Sequence, residues 1–181
     1  WALLTGDAWQ PFQRKFGFLP FIAGTLWVTV LAMIIATPPS LLVAIHLAEY
    51  ARPATRTFMK PLLDLLAGIP SVVYGVWGVI VIVPWVQKTL GPFLSHLFAG
   101  VPLFATTNPT GYGVLAGSIV LAVMVAPVII AVSYEVMVAV PHGLREAALA
   151  MGVTRWQTVK YAVFREAFPG IVAAVMLGFS R

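Results

Sequence analysis

The residues of this chain best suited to chemistry sit between its last two apolar runs, in Gly143-Leu144-Arg145-Glu146-Ala147-Ala148-Leu149-Ala150-Met151-Gly152. Alanines at 147, 148 and 150 favour helix and carry almost no side-chain bulk. A helix that slim can lie deep in the groove of another protein. Pro141 can start it, and Gly152 can end it in a left-handed cap. Glu146 is expected in its first turn, where it suits the helix dipole and can pair with a basic groove residue. The same composition also fits an ordinary amphipathic loop helix.

A second candidate is Arg181, twelve residues beyond Pro169, or about 18 Å along a helix. If a crossing starts near Pro169, the guanidinium reaches mid-membrane, where charge is costly and usually functional. Its fork suits bidentate contact with an oxyanion. The alternative is a frayed terminal residue, or one snorkelling to the surface if the crossing starts later. Ser71 and Tyr74 are candidate polar lining for a path, although Gly68, Ser71, Gly75 and Gly78 fit plain close helix packing equally well. Other chemistries lack parts. Ser71, Ser118, Ser133 and Ser180 have no Gly-x-Ser-x-Gly turn and no partnered base, so an intramembrane hydrolase is disfavoured. There is no phosphate-cradling Gly-x-x-x-x-Gly-Lys-Ser/Thr loop. With no cysteine neither a disulfide nor a thiolate metal site can form, and His46, His96 and Glu135 show no ligand spacing.

The elements that must position these residues are membrane helices. The chain is 60% hydrophobic and 9% charged, with mean hydropathy +0.94; a soluble domain carries about 25% charged residues. Residues 16–47 hold no charge except a conditional one on His46, and 65–87 and 97–134 hold none. Each run exceeds the roughly 18 to 20 residues that cross a bilayer core. Continuous apolar character without alternation excludes a barrel and leaves helices. The fold class is therefore all-α, a polytopic transmembrane bundle with three full crossings and the start of a fourth: one long crossing bent at Pro38-Pro39, then 66–86, then 112–135, then a helix starting near Phe168. With no initiating Met and an end inside an apolar run, a fragment incomplete at both ends is expected.

Charge placement orients the crossings. One side carries Arg52, Arg56, Lys60, Arg145, Arg155, Lys160 and Arg165; the other carries Arg14, Lys15 and Lys88. The richer side is cytoplasmic, which places a 139–168 loop there, and a net charge of +5 then needs no nucleic-acid partner. Arg52, Arg56, Lys60 and Asp64 share one helical face. That face fits lipid head groups or an acidic partner, and equally a solvated loop. His46 and Glu135 are expected as solitary interfacial anchors. The apolar stretch 93–107 is expected to be re-entrant or interfacial.

Glu146-Ala147-Ala148, three residues and then Gly152 resembles the EAA loop of ABC-importer permeases. The sequence from Leu144 to Trp156, and Gly68-Ile69-Pro70-Ser71-Val72-Val73-Tyr74-Gly75-Val76-Trp77-Gly78, are similar in particular to phosphate-importer permeases of the PstC type. The resemblance covers nearly the whole chain and implies a single type I ABC importer (MetI-like) transmembrane domain over 1–181, without catalytic activity of its own. It implies ATPase-coupling roles for Arg145, Glu146, Ala147, Ala148 and Gly152, and a place in the substrate path for Arg181, with Ser71 and Tyr74 as path candidates on their own chemistry. The implied partners are an ABC ATPase dimer holding ATP and Mg²⁺, a second permease subunit of the PstA type, an extracytoplasmic phosphate-binding protein and membrane lipid. A sibling importer for sulfate, molybdate or phosphonate is the alternative. The family usually has a proline about thirteen residues after the glycine; Arg165 stands there, and Pro169-Gly170 is expected to take over the turn.

Overall fold

A computed structural model of the chain describes Leu4, Gly6, Asp7, Trp9 and residues 17–97 and 110–180. Among these, four helices are long and apolar enough to cross a membrane: α1 (Leu19–Tyr50), α3 (Ser71–Ser95), α4 (Val114–Ala139) and α6 (Arg155–Phe179). Two further helices lie between crossings, α2 (Pro53–Gly68) and α5 (His142–Ala150). The chain forms two compact units: one from 1–34 and 72–121, the other from 35–71 and 122–181.

The helix of the fourth crossing starts earlier than Phe168, at Arg155, and is long enough to span a bilayer. Thr154 accepts from the Gln157 N–H at 3.3 Å, while Gln157 Oε1 accepts from the Thr154 N–H at 2.8 Å. This reciprocal cap satisfies two orphan donors and starts α6 at Arg155. Pro169-Gly170 makes no turn; both residues lie within the helical stretch Phe164–Phe179. Proline beside glycine argues for a break in water, but in lipid an unpaired backbone has nowhere else to turn, so the helix persists. For the same reason α1 stays α-helical through Pro38-Pro39. The second crossing starts at Ser71 rather than 66. Ile69 is extended (φ −64°, ψ 130°), the conformation that a following proline imposes, so residues before it belong to α2.

Among the described residues, four turns widen to π geometry: His46–Tyr50, Gly78–Ile82, Val86–Leu90 and Val159–Val163. The two within α3 end two residues before Pro84 and Pro92, with Val83 N–H bonding Gly78 O and Gly91 N–H bonding Val86 O. A proline removes an N–H from the ladder, and a five-residue step lets the neighbouring donor reach back instead.

In the first unit Ile82, Val83 and Val86 of α3 pack on Ala116 of α4. Gly78 is the tight point: a Cβ there would meet Val120 Cγ2 at 2.4 Å. Gly68 and Gly75 have open space, so the expected small-residue stripe reduces to one position. Ser118 donates to Val114 O (2.7 Å) and to Val28 O of α1 (3.1 Å), tying two crossings through a fully buried hydroxyl.

In the second unit Ala44 and Ala48 of α1, Met137 and Val140 of α4 and its exit, and Val163, Ala167 and Ile171 of α6 form one core. Gly170, Ala174 and Gly178 recur every fourth residue of α6. A Cβ at Gly170 would meet Val136 Cγ1 at 2.4 Å, and one at Gly178 would meet Ile129 Cγ1 at 2.7 Å. This is the small-x-x-x-small seam through which membrane helices approach closely, and its contacts are with α4. Overpacking such a seam costs about 1–3 kcal/mol. Gly170→Val and Gly178→Leu should each lower the thermal unfolding midpoint in detergent, while Gly75→Ala, facing open space, should leave it in place.

Candidate functional site: the α5 helix and its clasp

α5 forms where the sequence places it. Pro141 sits at its N-cap (φ −55°, ψ 136°), and Gly152 is left-handed at φ +79° and donates to Leu149 O at 2.9 Å. Glu146 is the fifth helical residue and not in the first turn, because the helix begins at His142; the dipole argument for that carboxylate therefore lapses. Glu146, Ala147, Ala150 and Gly152 are exposed, as is Met151, at 78%. Ala148 is buried. One slim side thus faces outward and one faces the chain.

Arg145 works inward. Its Nη2 donates to Glu49 Oε1 at 2.8 Å and to Met137 O at 2.8 Å, its Nε donates to Glu49 Oε1 at 3.2 Å, and its Nη1 donates to Val140 O. Glu49 lies in the π turn ending α1; Met137 is in the last turn of α4, and Val140 directly follows that helix. A helix end leaves its last carbonyls without intrahelical partners, and a cation there also meets the negative end of the dipole. The guanidinium therefore caps α4, pairs with α1 and belongs to α5. The Arg145 and Glu49 side chains are only 15% and 12% exposed, so water screens this pair far less than the exposed pairs that contribute about 0–1 kcal/mol. Spacing could not show a partner 96 residues away. The available signal was a carboxylate at the end of a 32-residue apolar span, where charge is expensive without a partner.

Glu135 is not solitary either. Its carboxylate lies 2.6 Å from Lys60 Nζ of α2, with both side chains about half exposed (53% and 56%). The hydrogen bond that Lys60 donates to Glu135, and then the charge of that carboxylate, raise the Lys60 ammonium above its ordinary 10.5. The pairing thus contributes fully below that value and is lost as pH climbs through the raised one. Of the basic face of α2, Lys60 is paired and Arg56 donates to Ala51 O at 3.1 Å. Arg56, Lys60, Asp64, Tyr134 and Glu135 line a cavity of about 260 Å³ together with Leu47, Met59 and Leu63.

The path candidates are not brought together. Ser71 is exposed at the start of α3, Tyr74 is buried at 8% exposure, and Arg181 lies outside the described residues, as do Arg14, Lys15 and most of 93–107. Among the described residues no group of three His, Cys, Asp or Glu could hold a metal ion.

Four apolar crossings and a short outward-facing helix held between two of them define a multi-pass membrane protein of the transport class. Residues 40–181 match the profile of the binding-protein-dependent transport system inner membrane component, and the chain belongs to that family, which places it in the cytoplasmic membrane. It is similar to the phosphate transport system permease protein PstC of Mesorhizobium japonicum (36% identical; 99% of this chain, 56% of the relative). It is also similar to the probable ABC transporter permease protein YqgH of Bacillus subtilis (39%; 98% and 53%) and to PstC of Xylella fastidiosa (38%; 96% and 54%). The chain spans about half the length of these relatives.

Because Gly152 sits in a left-handed region that costs an L-residue about 1–2 kcal/mol, Gly152→Ala should destabilise the α5–α6 corner by about that much. Gly152→Asn, which tolerates the conformation, should cost less. Proteolysis at the corner, compared between the two variants, measures the difference.

Proposed function

We propose that this chain is a membrane-spanning permease subunit of an ATP-driven phosphate importer, supplying half of the translocation pathway and hydrolysing nothing itself. The observation that carries the proposal is the two-sided α5 helix, with Arg145 and Ala148 turned to the chain and Glu146, Ala147, Ala150 and Met151 turned away from it. An apolar and nearly flat surface carrying one carboxylate on a charged connection is a shape for a groove in a cytoplasmic partner. The partner is an ABC ATPase dimer, which holds ATP and Mg²⁺ and whose closure moves α5. Arg145, first grouped with the docking residues, acts from behind the docking face; Gly152 sets the corner that ends it.

The phosphate specificity follows the relatives named for phosphate transport, at 36% and 38% identity over nearly all of this chain. Sulfate, molybdate and phosphonate are disfavoured by the same likeness. Phosphate would arrive from an extracytoplasmic binding protein and pass between this subunit and a second, PstA-type permease, around a midplane site. Arg181 is the residue of this chain best suited to grip it, with Ser71 and Tyr74 as path candidates.

The test is uptake by vesicles containing the full complex. ATP-dependent phosphate accumulation is expected, uncompeted by sulfate. Arg181→Lys should lower it, since lysine keeps charge but loses the fork. Ala147→Trp should abolish copurification of the ATPase while leaving the permease folded, because residue 147 is exposed. Uptake of sulfate in place of phosphate would overturn the substrate assignment, and an ATPase still bound to Ala147→Trp would overturn the docking face.

A further inference from the structure

We infer, on the basis of the docking role proposed for α5, that Arg145 is the positioning residue that makes α5 and the inner ends of α1 and α4 move as one piece. A docking helix transmits a push only if something stiff joins it to the crossings. The covalent joints are poor candidates: one is the single extended residue Pro141 between Val140 and His142, and the other is the 151–154 corner with its left-handed glycine. Packing helps on one side, since α5 lies against the first turns of α6. Among the described residues, it is Arg145 that carries the hydrogen bonds of α5 toward α1 and α4.

The geometry of that group is specific. Three nitrogens of one planar fork reach three elements' worth of acceptors: Glu49 in the terminal π turn of α1, Met137 O in α4, and Val140 O where α4 hands over to α5. The clasp borders the apolar core to which Ala48, Met137 and Val140 belong, so displacement of the guanidinium displaces residues packed along two crossings. A planar fork holds such acceptors at fixed angles, whereas an ammonium on a flexible stem cannot serve a carboxylate and two carbonyls at those directions together. Glu49 holds the fork in place and completes its charge. Neither residue is required at the docking surface, because both side chains are turned away from it.

The experiment uses the complete complex in proteoliposomes, with Arg145→Lys, Glu49→Gln and the double variant compared with the unmodified protein. The readout is phosphate moved per ATP hydrolysed, alongside copurification of the ATPase. Copurification should persist, while transport per ATP falls by about tenfold in Arg145→Lys, the scale on which residues along a coupling route act. The double variant should be no worse than the more severe single one, as expected for two residues working as a unit. An unchanged ratio in Arg145→Lys overturns the inference, and so does loss of the ATPase from that complex, which would make Arg145 a docking residue. A second readout does not depend on transport. This chain has no cysteine, so in the full-length permease, with any cysteine outside it replaced, spin labels can be placed at Ala150→Cys and Leu42→Cys, both exposed positions. The distance distribution between them should be narrow in the parent and broaden in Arg145→Lys; equal widths overturn the clasp. If the unmodified permease captures no ATPase yet the labels behave as expected, the docking role fails and the clasp stands.

Discussion

One guanidinium settles how the inner side of this protein is built. α4 ends with carbonyls that no intrahelical N–H can reach, α1 ends with a carboxylate that a lipid-facing chain can hardly tolerate alone, and α5 must be held somewhere. Arg145 answers all three at once, with contacts to Met137 O, Val140 O and Glu49. Removing one partner of this part-buried pair would leave the other charge poorly paired and poorly hydrated. The inner ends of the crossings are therefore organised around a polar knot, while their lengths are held together by small residues: Ser118 donating to Val28 O, Gly78 against Val120, and Gly170 and Gly178 against Val136 and Ile129.

That division of labour suits a moving membrane protein. Lipid offers no hydrophobic drive for helices to associate, so close backbone approach and directed hydrogen bonds must do it. Small-residue seams permit helices to slide or rock without emptying a cavity. A fork-shaped charge, by contrast, keeps a few atoms at fixed angles. Under the proposed coupling role, a rigid contact at α5 would carry a pull into the inner ends of α1 and α4.

Much of this was legible in the residues. Uncharged runs longer than a bilayer core gave the crossings, and the Glu146-Ala147-Ala148 segment with Pro141 before it and Gly152 behind it gave α5 and its ends. Two kinds of feature escaped. Pro169-Gly170 reads as a turn by the rules that hold in water, yet both residues lie inside the helical stretch Phe164–Phe179, and Thr154 with Gln157 caps α6 ahead of Arg155. Ion pairs escaped as well, because Glu49 with Arg145 and Lys60 with Glu135 are joined by folding and not by spacing. The seam Gly170-Ala174-Gly178 was in plain view as a four-residue repeat. The substrate path stayed least visible, since Ser71 and Tyr74 do not converge and Arg181 lies outside the described residues.

The account stands on α5 having an outer face for a second polypeptide and an inner face for its own chain. A photo-reactive side chain placed in turn at positions 147, 148 and 150 of the full-length permease, within the assembled complex, reads this directly. Positions 147 and 150 should capture the ATPase, and position 148 should capture only helices of this chain. Capture of the ATPase from position 148, with 147 and 150 bonding inside the permease, would contradict it.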